Sequence, residues 1–333
     1  MAEKIALIVT TIASPNEVLK SLAQGSSLHS WDFIAIGDIS SPKDFLLEGC
    51  DYYDMNRQMT TGLLTAQICP VRHYARKNIG YLLAIKKGAE IIVETDDDNF
   101  PKENFWLKRQ RIKNSRFVED KGWVNVYRYF SDDQIWPRGL PLSCIKKEFQ
   151  ETKIIKQSDC PIQQGLADDN PDVDAIYRLV STLPVKFKHA KDIALGKEVW
   201  SPFNSQNTTW WKETFPLLYL PAYCSFRMTD IWRSFIAQRI AWENGWSVLY
   251  HNATVYQERN QHNLMKDFAD EIPGYLLNEK IQKILTETEI KSGTKHIPDA
   301  MRLCYGRLIE EKIFDVKEME ILEVWLKDLE KLI

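Results

Sequence analysis

No run of about 18 apolar residues occurs in the 333-residue chain, so no segment reads as a bilayer-spanning helix. Its six cysteines (Cys50, Cys69, Cys144, Cys160, Cys224 and Cys304) form no CxxC pair, which excludes a zinc ribbon or a thioredoxin-type redox site. Positive charge is not in excess either. Against 46 Asp and Glu stand 43 Lys and Arg, a net of −3, leaving no global field to gather nucleic acid or an anionic membrane. The chain has no GxxxxGK[ST], no GxGxxG after its first strand, no HExxH and no GxSxG. P-loop, dinucleotide, zincin and α/β-hydrolase chemistry therefore lose support together. The opening MAEKIALIVTTIASP turns polar at Ser14-Pro15-Asn16 and reads as a first strand rather than a secretory leader. A cytoplasmic protein is the expectation.

What is present is ordinary globular material, 44% hydrophobic and 27% charged, with an unusual eleven tryptophans. The first hundred residues alternate strand and helix signals. Strands are expected over 4–10, 33–36 and 90–94, with helices over 15–24 and 76–87, which implies a mostly parallel sheet with ligands at the strands' carboxyl ends. Residues 123–130 and 215–220 read as strands and 154–171 as a loop. A helix is expected over 229–244 and a strand over 246–256. From about residue 266 the chain is charged and helical, an appended region that would suit a homodimer interface. The organisation expected is thus 1–265 and 266–333.

The sharpest feature is Asp96-Asp97-Asp98 at the end of an aliphatic strand. Strand side chains alternate faces, so Asp96 and Asp98 are expected to point one way and Asp97 the other. Mn²⁺ and Mg²⁺ are oxygen-preferring ions that use one or two carboxylates with substrate phosphates, although a solvated acidic turn explains the triplet too. Arg76, Lys77 and Asn78 open the helix before this strand. Cationic side chains there oppose the helix dipole unless a phosphate is bound.

The blocks RKNIGYLLAI, DDDN, NPDVDAIYRL, FNSQNTTWWKETFPLLYLP, CSFRMTDIWRSFIAQRIAWENGW and HNATVYQERNQHNLMKDF together resemble the STELLO glycosyltransferase-like family over roughly residues 4–280. They resemble the reversibly glycosylated polypeptides, which act as UDP-arabinopyranose mutases, more distantly. The resemblance implies an α/β, GT-A-like fold, a Rossmann-like nucleotide-binding sheet with the C-terminal helical region added. It also implies a nucleotide-sugar donor, with UDP expected, a saccharide acceptor, and Mn²⁺ or Mg²⁺ as cofactor.

Residue by residue, the resemblance implies that Thr10, Thr11, Ile12 and Asp38 hold the nucleoside, with Arg76 and Asn78 at the phosphates. Asp98 is the expected direct metal ligand, with Asp96 on the ribose or the metal shell. Asp97, Gln206 and Asn207 are expected at the donor sugar. His262, with His251 as the alternative, would serve the metal or the diphosphate. TDIW places Asp230 where inverting relatives keep a general base, although Asp in a first helical turn is also simply stabilising. A nucleotide-sugar mutase and a non-catalytic scaffold for another transferase are the competing readings.

Overall fold

Aliphatic residues that follow one another without polar interruption suit a strand covered on both faces, and IALIVT is such a run. In the computed structural model, which describes residues 3–149, 151–258 and 263–333, it forms β1 (Ile5–Thr10) at the heart of a parallel quartet. The quartet runs β3 (Asp51–Tyr53), β2 (Asp32–Ile36), β1, β4 (Ile91–Thr95). Helices α1 (Glu17–Leu28), α2 (Met55–Met59), α3 (Leu64–Ile68) and α4 (Lys77–Lys86) connect these strands.

Beyond β4 the same sheet becomes mixed. Its later strands are β5 (Asn99–Pro101), β6 (Ile112–Val118), β8 (Ile155–Asp159), β9 (Ile162–Asp168), β10 (Ile193–Leu195), β12 (Asn207–Trp211) and β13 (Val248–Gln257). The order continues from β4 through β12, β9, β13, β10, β6 and β8, with β5 paired to β13. Two short strands, β7 (Gly122–Trp123) and β11 (Val199–Trp200), pair separately. The remaining helices are α5 (Ala175–Val180), α6 (Thr229–Glu243), α7 (Leu264–Glu287), α8 (Ile297–Glu310) and α9 (Lys317–Glu330). The plan is the α/β, GT-A-like one expected, with C-terminal helices. Parallel pairing dominates only its first half.

Helix α6 is buried on nearly every face, as a helix inside a large core must be. A buried ion pair fixes it to β4: Arg233 donates to both oxygens of Glu94 at 3.0 and 2.8 Å, and Trp210 Nε1 adds a bond at 2.8 Å. The C-terminal helices share this core, since Leu285, Tyr305, Leu322 and Trp325 belong to the same apolar cluster as Ile8, Ile79 and Trp210. Among the described residues no helix is long and apolar enough to cross a membrane.

Four local expectations are corrected. Residues 155–168, expected as loop, supply two strands, and β9 lies fully buried in mid-sheet. Its polar residues are satisfied internally: Gln163 donates to the Gln110 and Cys160 carbonyls, and Gln164 to those of Gly165 and Asn207. Residues 123–130 hold only the end of β7 before a 3₁₀ turn at Val126–Tyr129, and 215–218 end a 3₁₀ segment at Lys212–Leu218, with 219 and 220 outside any strand. Gly25 does not end the first helix. A Cβ there would lie 2.1 Å from Trp106 Cζ2, so its missing side chain admits the indole while α1 continues to Leu28.

Candidate active site

Strand β4 stops at Thr95, and Asp96–Asp98 turn towards β5. Strand alternation therefore does not apply to the triplet, and all three aspartates border one cavity of about 370 Å³. Each is held by a different group. Lys77 Nζ, fully buried, reaches Asp96 Oδ1 and the Thr95 carbonyl at 3.0 Å each. Thr11 Oγ1 donates to Asp97 at 2.5 Å, and Asn16 holds the Asp97 carbonyl at 2.9 Å. Gln257 Nε2 lies 3.0 and 3.1 Å from the two Asp98 oxygens. Burial raises the carboxyls of Asp96 and Asp97 above the ordinary range. Lys77 opposes this at Asp96, where Asp97 and Asp230 add to it.

A second cavity of about 330 Å³ adjoins the first, sharing Thr10, Ile12, Tyr74, Asp97 and Phe226. Thr11, Asp38 and His73 complete its polar wall. Asp38 accepts from the His73 and Ile39 backbone N–H groups at 3.0 and 2.6 Å. The His73 ring lies near Tyr74 and edge-on to Phe226, with centroids 5.7 and 5.1 Å apart. Burial lowers the His73 pKa to about 4 against the pull of Asp38, so the ring is neutral near pH 7. The half-exposed Phe226 and the exposed Ile12 form an apolar mouth.

The inner wall of the larger cavity is a network assembled around Arg138. Its Nε and Nη2 donate to Asp172 at 2.8 Å each, its Nη1 and Nη2 donate to Asp230 at 3.1 Å each, and Nη1 also meets the Arg227 carbonyl. All five guanidinium donors are used. Asp230 also accepts from Tyr74 Oη and the Ser205 N–H at 3.1 Å each, while Asn204 supports Asp172 at 2.8 Å. Burial alone would raise the Asp230 carboxyl. The charge and hydrogen bonds of Arg138 overcome it and hold the group well below the usual carboxylate range.

The expected residues divide clearly. Thr10, Thr11, Ile12, Asp38, Asp96, Asp97, Asp98, Gln206 and Asp230 border the two cavities. Arg76 borders the second but is only 1% exposed, with its guanidinium committed to the Gln58 amide and the Cys69 carbonyl. One residue on, helical rotation turns Lys77 to the aspartates instead. Asn78 borders neither cavity; it clasps the backbone N–H and carbonyl of Leu220 at 2.8 and 2.9 Å. Asn207 is likewise displaced, because its amide is used inside the sheet on the Leu166 carbonyl and Thr254. His251 lines a different hollow, with Arg109 and His189, and burial lowers its pKa to about 4. His262 lies outside the described residues.

Sequence reasoning missed Arg138, Tyr74 and Ser205. Nothing in WPRGLP announces that its arginine meets two carboxylates 34 and 92 residues away. Among the described residues no group of three or more His, Cys, Asp or Glu gathers in a way that could hold a metal ion. A cation here would draw on substrate oxygens as well as on the aspartate turn.

Residues 227–333 match the family model described as STELLO glycosyltransferases. The chain is 30% identical over 273 residues to probable glycosyltransferase STELLO1 of Arabidopsis thaliana, covering 75% of this chain and 35% of that protein. Against STELLO2 of the same plant the identity is 30% over 275 residues, with the same coverage. The chain thus spans about a third of the length of these relatives. A crystal structure of a mycobacterial protein aligns with a TM-score of 0.42 at 9% identity, covering 84% of this chain and 74% of the other. The chain carries a region of the STELLO glycosyltransferase family, within a sequence related to the STELLO proteins over 75% of its length.

Proposed function

We propose that the protein is a glycosyltransferase that moves a sugar from a nucleotide sugar, with UDP as the carrier, to a saccharide acceptor, with Mn²⁺ or Mg²⁺ assisting. One observation carries the reading. Two cavities meet at the carboxyl ends of β1, β2 and β4, with Asp97 on their shared wall and Asp96 and Asp98 beside it. Ligands of open α/β sheets bind at such strand ends. The outer cavity, with Thr10, Thr11, Asp38 and the apolar Ile12 and Phe226, suits a nucleoside. The inner one, walled by hydrogen-bonding groups, suits the donor sugar and the acceptor hydroxyl.

The aspartate turn fits a hard divalent cation that needs one or two carboxylates beside phosphate oxygens. Asp98 is the direct ligand in this reading, and Asp96, paired with Lys77, belongs to the surrounding shell. When bound, the ion supplies Lewis-acid stabilisation of the departing nucleoside diphosphate. Lys77 holds the turn in place, and Thr11 fixes the orientation of Asp97.

Asp230 fits the acceptor side by place. Its lowered pKa makes it a weak proton acceptor while Arg138 is bound, so it serves first to orient the acceptor hydroxyl. Inversion follows if substrate loosens Arg138 and Asp230 takes the proton.

Thermal stability measured against UDP, GDP, CDP and CMP, each with and without Mn²⁺, tests this reading. Ligand binding to the native state alone adds about 2.7 kcal/mol at a hundredfold excess over Kd. The expected result is a manganese-dependent shift with UDP that Asp98→Asn abolishes. No shift with any nucleotide would overturn the reading and favour a non-catalytic scaffold.

A further inference from the structure

Two hollows of about 250 and 350 Å³ lie near β6 and share no lining residue with the active-site cavities. They meet at Arg128, Tyr129 and Phe149, which line both. The half-buried Arg128 is unlike the fully buried arginines. Arg76, Arg138 and Arg233 commit their guanidinium groups to oxygen acceptors. Among the described residues Arg128 has neither a carboxylate nor a hydrogen-bond partner, and its Nε is buried with none. The Phe149 ring lies beside it, with the guanidinium carbon 5.5 Å from the centroid. A buried Nε–H without an acceptor is costly, and a ligand oxygen that reaches it removes the cost.

The surroundings define what such a ligand is. Asn125 gives its amide N–H to the Ile135 carbonyl at 2.8 Å, which leaves Oδ1 buried without a donor. Trp123 packs one side edge-on against Phe235 at 5.2 Å and is half-buried at the wall of the smaller hollow. Asp120 and Glu148 line the same hollow with Lys121 and Lys147, so charges of both signs meet there. A simple anion would meet these carboxylates. A polyhydroxylated ring satisfies the set: adjacent hydroxyls accept from Arg128, hydroxyl protons go to Asn125 Oδ1 and the carboxylates, and C–H faces lie on Trp123 and Phe149.

We propose that the hollows joined at Arg128 form a second saccharide-binding site, separate from the active site and independent of the donor assignment. The 3₁₀ turn that carries Arg128 also carries Tyr127, whose hydroxyl donates to the Asp172 carbonyl at 3.3 Å in the wall of the main cavity. The second site is therefore built on the same short segment as that wall.

Titration of the full chain with cellotetraose, laminaritetraose, maltotetraose and inorganic phosphate, followed by tryptophan fluorescence and saturation-transfer NMR, tests the proposal. One tetrasaccharide is expected to bind, to weaken about tenfold in Arg128→Gln, and to bind unchanged in Asp98→Asn. No described hydrogen bond or ion pair depends on the Arg128 side chain, and its one ring contact with Phe149 is worth little at a half-exposed site, so Arg128→Gln is expected to melt close to the parent. Trp123→Phe, which keeps a ring against Phe235, provides a second variant and is expected to lose the fluorescence change. Absence of binding by all three sugars, unaltered binding in Arg128→Gln, or binding of phosphate alone would overturn the proposal. None of these outcomes bears on nucleotide binding at the aspartate turn.

Discussion

The two halves of the sheet build their parts of the active site by different physics. In the parallel half, Thr10, Thr11, Ile12, Asp38 and the aspartate turn sit at or just after strands announced by aliphatic runs, and backbone geometry delivers them to one edge. In the mixed half, Arg138, Asp172, Ser205 and Asp230 come from loops and a helix start, and a shared charge holds them. The first half is laid out by backbone pairing between its strands. The second depends on a single guanidinium between two carboxylates, each less than a tenth exposed.

The most disruptive test of that contrast is Arg138→Met. It leaves Asp172 and Asp230 buried without their counter-charge, and a loss of about 3–5 kcal/mol in urea denaturation is expected. A loss under about 1 kcal/mol would mean that the network is not what holds this half together.

Asp174, fully buried, probes the same half through pH. Burial pushes its carboxyl up to about 6, although the Tyr177 N–H and Trp136 favour the charged form. A raised folded pKa gives stability that is complete below the unfolded value near 3.8 and is lost as pH rises through about 6. Asp174→Asn keeps an acceptor oxygen for the Tyr177 N–H, gives up the one that Trp136 Nε1 donates to, and removes the ionisation. Relative to the parent it is expected to gain about 2 kcal/mol between pH 4.5 and pH 7 in denaturation midpoints. An equal difference at both pH values would count against the assignment.

The smallest effect belongs to the parallel half. Thr11→Val removes one hydroxyl from Asp97, and a loss of about 1 kcal/mol is expected, with the Mn²⁺-dependent nucleotide shift weakened rather than abolished. Complete loss of that shift would show that side-chain bonds govern this half too.

The same contrast explains what could be read in the residue order. The strand and helix bounds near β1, β4, α4 and α6 were legible to within a residue or two, because periodicity and caps are local signals. The candidate residues at those strand ends came with them. β9 was not legible, since its glutamines look like loop until Gln110 and Asn207, distant in sequence, supply the acceptors. Asn78 and Asn207 were misplaced for a related reason. An amide in a polar stretch reads as ligand-binding, whereas here backbone groups 142 and 41 residues away use it. Lys77 and Arg76 differ by one step of helical rotation, which spacing alone did not resolve without the partner surfaces. The packing of residues 266–333 into the main core was equally hidden, because a charged helical pattern does not name the surface it covers.

Glu318, in α9, accepts from the Ala222 and Tyr223 N–H groups at 3.0 and 2.6 Å and from the Tyr219 hydroxyl. It therefore grips the stretch that leads directly into Phe226, Arg227 and Asp230. These contacts span 95 to 99 residues. During synthesis the parallel quartet can form early and Asn78 can clasp Leu220, but Tyr219, Ala222 and Tyr223 lack their Glu318 partner until that residue has left the ribosome. One wall of the active site should thus be among the last parts to set, and a chain stalled before α9 should present the nucleotide pocket with an unfinished acceptor side.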